Sequence, residues 1–336
     1  MFFRRIDMKA HKSTLALLAS IACAFVSLCA QAQTYPNRPV RIIAALTSGG
    51  PGDVATRGAS QVLGQVMGQP FVVENRPGAD GIIGGEACVK AAPDGHTLCT
   101  LDSFGVSLNP VIRAKMPYDT ARDLTPIVHL GFLPAGIIVN ASVPANSLRE
   151  LLELAKTKPG AITWGSFGLA SSSNLYMEWL KNVRGIAFLN VPYKGASQAW
   201  QAVLAGEVQV AVFATGPAVP QMSAGKVKVL AVNTEARFPR LPNVPTFRES
   251  GMELAIVTWF GMLAPAGTPR EILLRLNSEI SKEFINNAAL KEKYLSAAGI
   301  EVFAPTGGSI EAFNEFLKRE QAMYVGAVKA AGVSVE

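Results

Sequence analysis

Histidine, cysteine, serine and paired carboxylates are the side chains that most often carry out reactions, and their spacing here argues against one. Of the three histidines, His11 lies in a leader-like segment, His96 in a Pro-Asp-Gly-His turn and His129 at a strand end. The last two read as structural histidines held by their neighbours. No HExxH, GxSxG or CxxC spacing occurs, so the sequence offers neither a metal site nor an activated nucleophile. The carboxylates are scattered, mostly on helix faces, where solvated charge is their ordinary role. No catalytic residue, metal ligand or cofactor is therefore expected.

Glycines and hydroxyls at the ends of apolar runs offer a different chemistry. RIIAALTSGGPGDVATR (41–57) reads as a buried strand, a glycine-rich turn from Thr47 to Gly52, and a helix starting near Asp53. A helix start leaves backbone N–H groups unpaired at the positive end of its dipole, which suits an anion, and glycine lets a ligand approach the backbone. The spacing is neither a phosphate loop nor GxGxxG. Taken alone, the stretch reads more readily as a plain strand-to-helix turn than as an anion seat. Trp164 to Ser173 repeats the pattern, although a serine run is also an ordinary N-cap. Tyr193-Lys194-Gly195-Ala196 and Thr215-Gly216-Pro217 are two more turns of this kind. Asp102-Ser103-Phe104-Gly105 leaves the C-terminal end of a strand, where open α/β sheets place ligands. Two such loops facing each other would surround a small anion with donors and need no catalytic residue.

These loops require a scaffold of alternating strands and helices. Strands are expected at Ile42–Leu46, Phe71–Glu74 and Thr97–Leu101, with helices between them, in right-handed βαβ units and a mostly parallel sheet. Apolar runs at Ile127–Leu130 and Gly136–Val139 mark a crossing between lobes. A second series follows: helix 147–157, strand 162–165, helix 172–182, strand 187–191, helix 196–205, and strands at 208–213 and 227–232. Leu254 to Ala264 is placed to cross back. Two helices within 270–298 and one near 309–331 close the chain onto the first lobe.

Composition narrows the class. The chain has 336 residues, 49% hydrophobic and 17% charged, enough for a large core and two lobes. Arg4, Arg5, Lys9 and Lys12 precede an apolar run from Leu15 to Leu28 and an Ala30-Gln31-Ala32 cleavage pattern, as in a secretory signal peptide. The run is short for a membrane span, and Cys23 and Cys29 sit in poor lipid-attachment contexts. Removing residues 1–32, with four basic residues and one acid, leaves 27 basic and 24 acidic of the 31 and 25 present. That near balance argues against nucleic acid as a partner. Cys88 and Cys99 remain, on an expected helix and the next strand. They could form a disulfide in an oxidising compartment or stay as buried thiols.

Five segments together resemble one family. YPNRPVRIIAALTSGGPGDVATR (35–57), ENRPGADGIIGGEACVKAAPDGHTL (74–98), VPYKGASQAWQAVLAGEVQV (191–210), KVKVLAVNTEARFPRLPNVPTFRESG (226–251) and WFGMLAPAGTP (259–269) are similar, in order, to the Bug (TctC-type) solute-binding receptors of tripartite tricarboxylate transporters. The resemblance implies a type II periplasmic binding-protein fold, two α/β lobes closing on a ligand. Lobe 1 would comprise residues 33–130 and 257–336, and lobe 2 residues 131–256. It implies a carboxylate gripped by Ser48, Gly49, Gly50 and Asp53 from one lobe, and by Ser166, Gly168 and Ser171 from the other. Leu46, Thr47, Ser103, Phe104, Phe167, Tyr193, Gly195, Ala196 and Thr215 complete the expected site. Phe104, Phe167 and Trp164 could line an aromatic pocket, with core packing the better role for Trp164.

The chain departs from the family pattern at Ala45 to Ser48, at Ala170 and Asn174, at Asp80 where glycine is common, and at Gln209 where aspartate is common. The expected protein is a monomeric periplasmic receptor for a small carboxylate (a di- or tricarboxylate, aromatic acid or amino acid). It would serve a membrane transporter or a signalling receptor. An exported α/β hydrolase is the alternative from another class.

Overall fold

The computed structural model describes residues 35–168 and 171–333. The leader at 1–32 and the departure at Ala170 lie outside the described residues.

Among the described residues, ten strands form two five-stranded sheets. The first sheet has the order β2-β1-β3-β10-β4, from Phe71–Asn75, Val40–Ala44, Thr97–Asp102, Thr258–Pro265 and Leu124–Leu133. The second has the order β7-β6-β8-β5-β9, from Leu189–Pro192, Thr163–Ser166, Val210–Ala214, Ala135–Asn140 and Val227–Val232. β1 runs parallel to β2 and β3, with Ile42 between Val73 and Leu98. Its residues are almost wholly buried, as a strand covered on both faces must be.

The sheets are mostly parallel, as expected, with one antiparallel strand in each. β10 is antiparallel to β3 and β4, and β5 is antiparallel to β8 and β9. β5 follows β4 directly across Pro134, and β10 follows the return from the second sheet. A strand arriving from the other lobe enters at the end where parallel strands finish, so it must run the opposite way.

The main helices are α1 (Pro51–Met67), α2 (Ile82–Val89), α3 (Leu148–Thr157), α4 (Ser172–Arg184), α5 (Ala196–Ala205), α6 (Thr215–Ser223), α7 (Arg270–Glu279) and α8 (Ile310–Ala331). α1 starts with Pro51 in its first turn and stops at Gly68, which is left-handed at φ 73°. The two helices expected within 270–298 are more broken. α7 runs into wide π turns at Ile280–Ile285 and Lys291–Leu295, with short pieces between and after.

α8 belongs to both lobes. Phe313 packs with Trp259 and Leu263 in the core under the first sheet. Tyr324, Ala327, Val328 and Ala331 pack with Trp164, Tyr176 and Trp179 in the core of the second. Leu108 and Ile112 join that second core from the segment after β3. Asn182 donates from α4 to the Ala331 carbonyl at 2.5 Å. The lobes therefore share a continuous apolar contact on one side.

Cys88 and Cys99 are joined in a disulfide between α2 and β3, both fully buried. Among the described residues, no helix is long and apolar enough to cross a membrane.

Candidate functional site

The first glycine loop is held from beneath. Gly50 is the N-cap of α1 in extended conformation, with no side chain capping the helix start, and Gly49 is left-handed at φ 78°. Asp53 is 2% exposed. Its Oδ2 accepts from Gly49 N–H at 2.9 Å and Arg57 Nε at 2.8 Å, and its Oδ1 accepts from Asn75 Nδ2 at 2.7 Å. Asn75 also donates to the Leu46 carbonyl at 3.2 Å. Burial pushes the Asp53 carboxyl up, but the bonds from Arg57, Asn75 and Gly49 outweigh it and hold it below the ordinary range. Both oxygens are engaged, so Asp53 shapes the loop rather than offering a free group to a ligand.

A cavity of about 350 Å³ opens beside this loop. Ala45, Leu46 and Thr47 line it from the end of β1, Pro77 to Gly81 from the turn after β2, and Asp102 and Phe104 from the end of β3. All three walls come from the C-terminal ends of parallel strands, where an open sheet places its binding crevice. Three expected site residues, Leu46, Thr47 and Phe104, line it. Ser48, Gly49 and Gly50 lie on the adjoining loop, exposed or half-buried. Ser103 is fully buried and does not line the cavity.

The turn after β2 was not among the expected site residues. Gly78, Ala79, Asp80 and Gly81 all have positive φ, at 121°, 48°, 53° and 90°. For Ala79 and Asp80 this conformation costs on the order of 1–3 kcal/mol each, so the surroundings must enforce it. Asn109 Nδ2 donates to the Asp80 carbonyl at 2.8 Å, and Arg113 NH2 pairs with its Oδ2 at 2.9 Å. Position 80, where the resemblance implies glycine, is thus a left-handed position that here also carries a charge. Asp102 was missed as well. Its Oδ1 accepts from Gly105 N–H at 3.0 Å, and burial pushes its pKa up to about 6, with Gly105 and Phe104 N–H groups pulling down and Asp80 pushing up. The signals available were the density of breakers at 75–81 and the position of 102–105 after a strand.

In the second lobe the serine-glycine loop is equally tied. Ser171 caps α4, accepting from Asn174 N–H at 3.2 Å and donating to the Gly168 carbonyl at 2.7 Å. Gly168 is left-handed at φ 116°. Ser166 is buried and donates to Asn190 Oδ1 at 2.7 Å. Phe167 stacks on Phe213, centroids 5.5 Å apart, in the same core that Tyr193 packs against. Gly195 is the N-cap of α5 with no side-chain cap, and Ala196 opens that helix, exposed. None of these second-lobe residues lines the 350 Å³ cavity. Trp164 is core: its Nε1 donates to the carbonyl and hydroxyl of Ser173 at 3.0 and 2.9 Å. Gln209 takes the place of a common aspartate as a strand clamp, accepting from Thr163 N–H at 2.8 Å.

Thr215 belongs to the crossing between lobes. Fully buried, it donates from N–H and Oγ1 to the Pro134 carbonyl at 2.9 and 3.2 Å. Asn233 links the two crossings, accepting from Ala135 N–H at 2.8 Å and donating to the Ile256 carbonyl at 2.5 Å. Tyr176 OH also donates to that carbonyl at 2.9 Å and accepts from Ile256 N–H at 2.7 Å. These bonds fix where the chain passes between lobes while leaving the loops outside them.

The histidines stay structural. His129 is fully buried among Phe132, Trp259, Phe313 and Phe316, its Nδ1 2.9 Å from Thr306 Oγ1, and burial pushes its pKa down to about 3. His96 bonds within its turn to Asp94.

Comparison with known proteins gives a consistent result. The model of the "tripartite tricarboxylate transporter family receptor" matches residues 55–327. The chain is 31% identical over 322 residues to BugT of Bordetella pertussis, covering 94% of this chain and 96% of that one. Among solved structures it is similar to an R. palustris protein with adipate, at 30% identity and TM-score 0.78, covering 89% of this chain and 99% of the other. It is also similar to MatC from Rhodopseudomonas palustris with bound malate, at 27% identity and TM-score 0.74, covering 88% and 100%.

Proposed function

The chain belongs to the tripartite tricarboxylate transporter receptor family, and we propose that it captures a small organic carboxylate at the cavity beside its first glycine loop. The observation that carries this reading is that loop's geometry. A helix start without a side-chain cap, preceded by a left-handed glycine, adjoins a cavity at the ends of three parallel strands. The Gly49 and Gly50 N–H groups bond within the loop, to Asp53 and to the Thr47 carbonyl, so the donors that suit a carboxylate are those of the first turn of α1 at Gly52 and Asp53. The adipate and malate of the two R. palustris structures are small carboxylates too.

In this reading Ser166, Phe167, Gly168 and Ser171 of the second lobe, with Tyr193 and Gly195, close over the ligand as residues 131–256 swing toward residues 33–130 and 257–336. Ligand binding favours the closed state by the contacts made only there. Micromolar binding needs about 8 kcal/mol, and hydrogen bonds to charged groups contribute roughly 1.5–3 kcal/mol each. A few backbone and hydroxyl donors with apolar burial therefore suffice. Residues 1–32 would direct export and be removed, and the loaded receptor would deliver its ligand to a membrane transporter from the periplasm.

The test is a thermal-shift screen of mono-, di- and tricarboxylates, aromatic acids and amino acids. A ligand at 100 times its Kd stabilises by about 2.7 kcal/mol. Gly49→Val, at φ 78°, should retain the fold and lose the shift. A rise in melting point with neutral sugars or cations and with no acid would overturn the carboxylate reading. A shift unchanged in Gly49→Val would remove the first loop from the site.

A further inference from the structure

Ten residues line the 350 Å³ cavity, and the ionisable ones among them are both acids, Asp80 and Asp102. No lysine, arginine or histidine lines it. Asp80 is matched by Arg113 at 2.9 Å. Asp102 makes no ion pair among the described residues, and its carboxylate accepts from backbone N–H groups, that of Gly105 at 3.0 Å and that of Phe104. A half-buried carboxylate with no cation of its own thus faces the space where the ligand would sit.

From this geometry we infer that Asp102 selects carboxylates that also carry an ammonium group, so that the site takes amino acids in preference to the corresponding plain acids. The inference rests on the carboxylate reading above. One end of the ligand would meet the backbone donors of the first loop, and its ammonium would meet Asp102. A plain dicarboxylate of similar length would instead bring a second negative charge toward Asp102. At a separation near 4 Å in a partly enclosed site, that repulsion disfavours binding by well over tenfold.

The electrostatic surroundings agree. Burial pushes Asp102 up to about 6, Gly105 and Phe104 N–H groups pull it down, and Asp80 pushes it up. Asp102 in turn pushes up the ionisation of Tyr118, Glu320 and Tyr324, and the Arg113 guanidinium is already paired with Asp80. An incoming ammonium favours the charged form of Asp102, and an incoming carboxylate disfavours it.

The experiment is calorimetric titration of the mature protein at pH 7.5 with matched pairs: L-aspartate against succinate, L-glutamate against glutarate, and γ-aminobutyrate against butyrate. In the wild type, the amino member of at least one pair should bind at least tenfold tighter. Asp102→Asn keeps an oxygen for Gly105 N–H but loses the charge, and should bring that ratio to within about threefold. A wild type that binds the plain acids as tightly as the amino acids overturns the inference, and so does a ratio unchanged in Asp102→Asn. Because Asp102 is pushed up to about 6, plain acids should gain affinity as pH falls from 7.5 toward 5 and its charge is lost, and plain-acid affinity unchanged over that range would overturn the inference too. The wild-type ratios decide the matter if the variant does not fold. If neither member of any pair binds and no other acid does, the carboxylate reading itself has failed.

Discussion

Asp53 gives the strongest test of how the first loop is built, because its replacement should act on both stability and binding without touching the ligand. Its carboxylate is 2% exposed and accepts from Gly49 N–H, Arg57 Nε and Asn75 Nδ2 at 2.9, 2.8 and 2.7 Å. Hydrogen bonds to a charged group contribute roughly 1.5–3 kcal/mol each. The three are not equal. The Arg57 side chain is 47% exposed, so water takes over much of its share, which is about 0–1 kcal/mol. Gly49 is exposed and can also rehydrate, whereas Asn75 is held half-buried. The expected loss in Asp53→Ala is therefore about 2–4 kcal/mol at pH 7, within the range for breaking a buried polar network. The pH dependence has a fixed sign. The folded carboxyl lies below its ordinary value of 3.8. Its contribution is thus present above 3.8 and lost as pH falls through the lower folded value. Urea denaturation at pH 7 and near pH 3 measures both quantities. The wild-type advantage should shrink on acidification, and affinity for whichever acid the screen identifies should fall. A loss below about 0.5 kcal/mol, or an advantage that grows toward acid, refutes the reasoning.

Two further outcomes are expected. In Gly52→Ala, the added Cβ would lie 2.6 Å from the Phe260 ring and 2.7 Å from Leu46 Cδ1. Overpacking of this kind costs about 1–3 kcal/mol, and because Leu46 lines the cavity, calorimetry should show weakened binding together with the lower melting point. Glu320 is buried, accepts from Ser107 Oγ at 2.6 Å, and is pushed up by burial to about 8 from an ordinary 4.5. A raised acid pKa favours the fold below 4.5 and loses that advantage as pH rises to 8. Relative to Glu320→Gln, the wild type should therefore lose melting temperature across that window and stay level above it. A difference that does not vary between pH 4.5 and 8 would contradict the burial argument.

The sequence alone determined the alternation of strands and helices, because buried parallel strands are continuous apolar runs and helix ends carry their own punctuation. β1, α5 and β9 are such cases, and Ser171 and Gly195 stand at helix N-caps as expected, while α1 starts at Pro51 rather than near Asp53, with Gly50 as its N-cap. It also bounded the chemistry, since neither His96 nor His129 sits in a motif that could react. Tertiary structure decided everything that depends on partners distant in the chain. Strand direction at β5 and β10 follows from which lobe the chain arrives from, which no local pattern encodes. The pairing of Cys88 with Cys99 depended on how close α2 comes to β3. Thr215 looked like a loop hydroxyl open to a ligand, yet its bonds to Pro134 make it part of the crossing. Asp53 looked like a ligand contact, yet Arg57 one turn along the same helix and Asn75, brought in from the end of β2, engage it. Asp80 and Asp102 come from separate loops after separate strands, so their meeting in one cavity beside Leu46 and Thr47 is a property of the sheet. In the proposed site the glycine loop supplies the approach and the acids beside it, placed by the fold, supply the selectivity.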